Sequence, residues 1–507
     1  TRRIRQQARG AVQSTAGYVL EGERIVGAHE RVGETDVEEL RSYQDELLRR
    51  GLGPEEGRVK AWLGGGLYGL TLLGLLAGVL LLFRPAVYRD LRGFVIVLGL
   101  TMGVLGIASL VGDFGRPEAL VPVAFAVLLV GILYDGLLAF VTAGVVAGLV
   151  AVQPGFAGAA APFLTGVAGA AAALGVRGVR RRADSWILIA LITGGYVVGA
   201  GVLSLLEPMG VGEVVSIAAW GGLNAATCTV FAVGAVLPLL ESFTGITTEQ
   251  TLLELSDLNR PLLRRLSREA PGTYAHSINI ANLAEAACAE IGADALRARV
   301  GAYYHDIGKM ARPQFFIENQ PPGRNPHDRL EPRASVRVIV SHVEDGLEMA
   351  DEARLPEALR SVIREHHGTM TVAYFLEKAR LRENGSVDPE AFRYPGPRPR
   401  SRESAVVMLA DGVEAACRTL TDPSPERIRE LVAGVVRARR DDGQLDESPL
   451  TLKDLDLVRR QFVRVLEGMY HRRIDYPDTV PEGEAESAPP VQKTVRRVAT
   501  DVPADGG

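Results

Sequence analysis

The chain has 507 residues, enough for roughly two to four domains, with 47% hydrophobic residues and a net charge of −5. So small a charge gives no reason to expect a nucleic-acid surface. The three cysteines, Cys228, Cys288 and Cys417, are far apart; they suggest no disulfide framework and form no CxxC metal site.

The chain begins at Thr1, with no signal peptide ahead of its first apolar run, and reads as a piece of a longer precursor. Within residues 1–58, Tyr18–Val32 alternates like a strand around two glycines. Thr35–Arg50 reads as a helix, with Thr35 as its cap and Leu40, Leu47 and Leu48 on one face. This is too little to fold alone and is expected to be the C-terminal part of a small, mixed extracellular domain.

Residues 59–241 hold long apolar runs with few charges. A helix needs about 20 apolar residues to cross a bilayer. Runs at 61–83, 93–112, 156–176, 186–206 and 214–240 meet that length. The 34 residues of 119–152 would make one helix of ~51 Å, too long for a hydrocarbon core of about 30 Å. Tyr134, Asp135 and Gly136 at its centre predict a tight turn between two short spans, which makes seven. Charge supports that count. Arg84, Arg89 and Arg92 in one loop and Arg177, Arg180, Arg181 and Arg182 in another then share a face, which the positive-inside rule makes cytoplasmic. Residues 1–58 fall outside, and everything after about residue 241 falls in the cytoplasm. The spans are rich in Gly and Ala, which favours close helix packing in lipid. They hold no cluster of ionisable residues, which argues against a transporter. A linker helix is expected over 242–270, an all-α domain over 271–475 and a disordered tail over 476–507.

Six of the eight histidines fall in one 92-residue window: His276, His305, His327, His342, His366 and His367. The surrounding sequence reads as helices, including Val300–Lys309, Val336–Val343 and Glu357–His366. His305-Asp306 is an adjacent imidazole–carboxylate pair, a donor set suited to Fe, Mn or Zn. Its carboxylate can bridge two ions. Asp411 interrupts the apolar helix Val406–Ala416, and a buried carboxylate there needs a cation.

Residues 242–475 resemble the HD-domain superfamily, specifically the seven-transmembrane HD (7TMR-HD) family of PgpH-like cyclic di-AMP phosphodiesterases. The resemblance rests on an ordered set: Leu252–Leu263, Ala270–His276 (APGTYAH), Gly301–Met310 (GAYYHDIGKM), Phe315–Gln320 (FFIENQ), Asn325–Asp328 (NPHD), Glu365–Thr369 (EHHGT) and Phe392–Pro397 (FRYPGP). It implies an all-α membrane protein, a seven-helix bundle followed by a cytoplasmic HD domain. It also implies that one divalent metal is held by His276, His305, Asp306 and Asp411, and a second by Asp306, His342, His366 and His367, with Fe or Mn as the expected ions. His305, Asp306 and Lys309 are the expected catalytic residues, Lys309 by reaching a phosphate. His327 matches an element of the family that is not a ligand position and is expected to shape a loop. The family carries a further N-terminal span and a large ectodomain, of which residues 1–58 are expected to be the last part.

Two such ions lower the pKa of a water between them and stabilise in-line displacement at phosphorus. The resemblance implies cleavage of cyclic di-AMP to linear pApA under an extracellular or membrane signal. The bilayer is then a partner, and an extracellular ligand and a homo-oligomer are open to such a protein. The alternatives are an HD phosphohydrolase acting on another nucleotide, or a non-catalytic nucleotide-binding receptor. The cyclic di-GMP enzymes of the HD-GYP type carry HHExxxGxGYP, whereas here His366-His367 is followed by Gly368-Thr369-Met370-Thr371. Guanosine tetraphosphate hydrolases carry HDxxED, whereas here the pair is followed by Ile307-Gly308-Lys309-Met310.

Overall fold

A computed structural model of the chain describes residues 24–27, 30–50, 54–156, 158–176, 184–321, 323–383, 387–420 and 423–470. The expected tail over 476–507, most of the 177–184 loop and residues 18–23 of the strand-like stretch lie outside the described residues. The described part of that stretch is bend and coil, and the described residues form no strand; Thr371 and Arg393 make an isolated bridge. The mixed N-terminal remnant is therefore, where described, one helix, α1 (Glu34–Arg49). It begins at Glu34, so Thr35 lies inside the first turn and is not the cap; Asp36 accepts from the Gly33 amide at 2.8 Å.

Among the described residues, seven apolar helical segments follow. Four are long and apolar enough to cross a membrane: Trp62–Phe83 within α2 (Pro54–Phe83), α3 (Leu91–Asp113), α7 (Ser185–Leu206) and α8 (Val211–Thr244). Between them lie the shorter α4 (Val123–Leu133), α5 (Gly136–Val150) and α6 (Ala160–Val176). Trp62 is 73% exposed, Leu67 68% and Leu82 75%, an outward apolar surface that water would penalise and lipid accepts.

The chain breaks at Tyr134–Asp135, where the turn was expected. Asp135 caps α5 by accepting from the amides of Leu137 and Leu138 at 2.9 and 3.0 Å, and it pairs with Arg84. At ~1.5 Å per residue, the 11-residue α4 is only ~17 Å long. Pro117 and Pro122 keep the backbone ahead of it from extending the helix. Carbonyls freed inside a bilayer need partners, and the buried Asn224 of α8 donates to those of Ala119 at 2.8 Å and Val121 at 2.9 Å. Nearby, Gly221 of α8 lies flat against the Tyr196 ring of α7, where a Cβ would collide. α8 winds as a π-helix over Val230–Val236 before it ends at Gly245, whose φ is +75°.

The expected linker helix is two short helices, α9 (Glu249–Leu255) and α10 (Pro261–Glu269), split by the Asp257–Arg260 turn ahead of Pro261. They belong to the second core rather than joining two bodies. Leu252, Leu255, Leu263 and Leu266 are buried with the residues of α11 (Pro271–Glu290) and α12 (Ala295–Tyr304). Each such leucine contributes about 1.5–3 kcal/mol. The domain is completed by α13 (Pro332–Glu352), α14 (Glu357–Glu365), α15 (Ala373–Arg382), α16 (Arg402–Cys417), α17 (Pro425–Asp441) and α18 (Leu452–Tyr470). α11 packs against α12, α16 and α18 at the centre.

Candidate metal centre

The sequence reads as continuous helix through Lys309, but α12 stops at Tyr304. His305 caps it, and a 3-10 turn, Ile307–Ala311, begins after Asp306. The cause is tertiary. At Gly308 the turn lies directly on α13, so close that a Cβ would overlap the His342 carbonyl and the Gly346 amide. Glycine alone allows that approach. The break turns the His305 and Asp306 side chains into the space between α11, α13, α14 and α16.

The seven expected ligands meet there. Asp306, His342, His366 and His367 offer donor atoms all within 4.8 Å of one another, and His276, His305 and Asp411 form a second such group. Asp306 lies between them. Its Oδ1 is 3.3 Å from His342 Nε2 and 3.5 Å from His366 Nε2. Its Oδ2 is 3.1 Å from His305 Nε2 and 3.7 Å from His276 Nε2.

The imidazoles are held in one orientation. His305, His342 and His366 each direct Nδ1 at the carbonyl three residues back, those of Ala302, Ile339 and Ile363, at 2.8, 2.6 and 2.8 Å. An Nδ1 proton donated there leaves Nε2 with its lone pair facing the cluster. His276 Nδ1 instead meets the buried Glu414 carboxylate at 2.6 Å, and Asn279 donates to the other oxygen of Glu414 at 3.1 Å. His305 Nε2, Asp306 Oδ1 and His367 Nδ1 are buried without a hydrogen-bond partner. Orphaned donors and acceptors of this kind cost about 1–3 kcal/mol each, and a bound cation would satisfy them. The residues present therefore fit a metal centre.

Electrostatics agree. Burial drives the His342 ring down to about 3 and holds His367 well below the usual range, so both stay neutral and ready to ligate. Burial works against the Asp306 carboxylate, yet its close contacts with His305 and Lys309 outweigh it and hold its pKa well below the usual range. Burial also disfavours the charged form of His276, but hydrogen bonds to Asp411 and Glu414 prevail and raise it to about 10.

Lys309 is nearly buried, with Nζ 2.7 Å from Asp306 Oδ2 and 2.9 Å from Glu318 Oε1. Glu318 also accepts from Thr273 at 3.0 Å, which ties the Phe315–Gln320 segment to the start of α11. Both residues line a cavity of about 410 Å³ that opens on the cluster, with Phe316, Tyr394 and Arg418. Tyr394 lies over His367, ring centroids 4.2 Å apart. His327 joins neither metal group. It is buried between Phe315 and Phe375 and its Nε2 meets the Phe315 carbonyl at 2.9 Å. Glu414, Glu318 and Tyr394 were not singled out from sequence. Glu414 had one signal, its place three residues beyond Asp411 on an otherwise apolar helix.

A bundle of membrane helices followed by an all-α domain with this His/Asp cluster defines a membrane protein of the HD class. Residues 59–248 match the family described as "7TM receptor with intracellular HD hydrolase", and residues 273–416 match the HD domain. The chain belongs to that seven-transmembrane HD family. It is 44% identical over 266 residues to the cyclic-di-AMP phosphodiesterase PgpH of Bacillus subtilis, a match covering 52% of this chain and 37% of the relative. It is also 44% identical over 243 residues to the protein of that name from Listeria monocytogenes, covering 48% of this chain and 34% of the relative. The chain thus spans about a third of the length of the curated relatives it matches. A crystal structure of the L. monocytogenes PgpH HD domain in complex with cyclic-di-AMP shares 43% identity, covering 42% of this chain and 99% of that one, with a TM-score of 0.41.

Proposed function

We propose that this chain is a membrane-anchored, metal-dependent phosphodiesterase that hydrolyses cyclic di-AMP to linear pApA. The observation that carries the chemistry is Asp306. Its two oxygens face two separate groups of histidines, as a carboxylate bridging two divalent ions requires. His276, His305 and Asp411 would hold one ion with Asp306, and His342, His366 and His367 the other. Fe or Mn suits this imidazole–carboxylate set. When bound, the two ions supply a water of lowered pKa and offset the charge that develops at phosphorus. The remaining work falls to the protein. Glu414 orients His276, the backbone carbonyls orient three other imidazoles, and Lys309 keeps a positive charge beside Asp306 where a phosphate would dock.

Two relatives named as cyclic-di-AMP phosphodiesterases, both 44% identical, support the substrate. The Gly-Thr-Met-Thr run after His367, in place of the HD-GYP element, supports the same choice. The HD domain is read as cytoplasmic. Arg92 donates to the Phe243 carbonyl at 3.1 Å, and Arg84 pairs with Asp135. The Arg-bearing loop therefore sits at the end of the bundle where the chain passes into the HD domain, the end that positive charge assigns to the cytoplasm.

The test is competitive turnover of cyclic di-AMP and cyclic di-GMP by the purified full chain in detergent with Mn²⁺ or Fe²⁺. Cyclic di-AMP should be cleaved well, with pApA as product, and cyclic di-GMP poorly. Equal rates, or a preference for cyclic di-GMP, would discard the substrate assignment.

A further inference from the structure

The cavity over the metal centre carries two permanently cationic side chains in its lining, Lys309 and Arg418. Lys309 is committed, held between Asp306 and Glu318. Arg418 is not. It comes within 4.0 Å of Glu414 Oε2, but that oxygen is 2.6 Å from His276 Nδ1 and is already engaged. Its side chain is 41% exposed. Arg418 follows directly on α16, the helix that carries Asp411 into the cluster. Asp411, Ala415 and Arg418 recur at helical spacing and all line the cavity. The Arg418 backbone stands ~10 Å along the helix from Asp411. One face of one helix thus runs from a metal ligand to a guanidinium at the mouth.

We propose that Arg418 docks the second phosphodiester of a cyclic dinucleotide while the first lies at the metal centre. This rests on the phosphodiesterase reading given above. A substrate with two phosphodiesters has a charge left over once one reaches the metals, and a guanidinium fork matches a phosphate in both charge and geometry. The cavity then favours dinucleotides over esters with a single phosphate. Arg418 is a binding residue; it touches no reacting atom.

Steady-state kinetics of the full chain on cyclic di-AMP and on bis(p-nitrophenyl) phosphate, a single phosphodiester, test the proposal. Arg418→Ala should raise KM for cyclic di-AMP about tenfold. It should leave kcat, metal content and kcat/KM for bis(p-nitrophenyl) phosphate unchanged. Arg418→Lys, which keeps the charge but loses the fork, should fall between. Equal losses on both substrates, or no change on either, would overturn the assignment of Arg418 alone. A parent chain inactive on both substrates would overturn the phosphodiesterase reading and this assignment with it.

Discussion

At the scale of single residues, the outer partners of the ligands carry consequences that the ligand set alone does not. Glu414 is buried, accepts from Asn279 and fixes His276 at 2.6 Å. Glu414→Gln should weaken metal binding at the His276 group by about 10–100-fold and leave the His342 group loaded. Metal titration of the variant beside the parent would read this; equal loss from both groups would contradict it. Protonation gives a second handle. With its pKa raised to about 10, His276 carries a proton at neutral pH in the metal-free protein, and an ion must displace it. His342, pushed to about 3, has none to lose above pH 5. Affinity at the His276 group should therefore rise with pH between 6 and 9, with release of about one proton. His342 and His367 should add no proton release of their own in that window. Calorimetry in two buffers of different ionisation enthalpy counts the protons. The histidines stood out in the sequence because histidine is scarce and six of the eight share one window, while the set of seven expected ligands, with Asp306 and Asp411, followed from the family resemblance; the structure brings those seven side chains together. Glu318 was not legible there, since its contact with Lys309 forms only when the Phe315–Gln320 segment folds back onto α11.

At the scale of elements, the decisive feature is the end of α12. Tyr-Tyr-His-Asp-Ile-Gly-Lys is compatible with helix, and nothing local ends it at Tyr304. The stop comes from Gly308 resting on the backbone of α13. Gly308→Ala should force the turn away from α13, cost at least ~1–3 kcal/mol and lower metal content at both groups together. Gly434, on the exposed side of α17, meets nothing within 4 Å, and Gly434→Ala should leave metal content alone and stabilise by up to about 1 kcal/mol. Thermal unfolding of the two variants with elemental analysis makes the comparison; a stable, metal-replete Gly308→Ala would refute the role given to this contact. The opposite case is Asp135, whose Asp-Gly pair within an overlong apolar run revealed the turn from sequence. The split of 242–270 was harder to see. Pro261, a residue suited to a first helical turn, was a signal the reading of one linker helix did not use, and the burial of four leucines against α11 and α12 is a property of the assembled core.

At the scale of the whole molecule, the bundle and the HD domain answer to different rules of burial, and the sequence shows both. Long apolar runs give the spans without any knowledge of packing. The closeness of α7 and α8 at Gly221, and the capture of two freed carbonyls by Asn224, depend on which helices become neighbours. Orientation is testable because Cys228, Cys288 and Cys417 are all buried and should give little background labelling. Cysteines placed by Arg89→Cys and Ser448→Cys should be reached by an impermeant thiol reagent from the same side of the membrane, and one placed by Glu207→Cys from the other. Labelling of Arg89→Cys and Ser448→Cys from opposite sides would refute the proposed topology. The account as a whole stands on one carboxylate serving two ions within this membrane-bound chain. Its most direct test is elemental analysis of metal per chain, with circular dichroism and cyclic di-AMP turnover on the same samples, for the parent, His342→Ala and Asp306→Ala. The parent should hold two ions. His342→Ala should approach one, with little turnover, and Asp306→Ala should lose both ions and all turnover while staying helical. Two ions and near-normal turnover in Asp306→Ala would contradict the dinuclear centre proposed here.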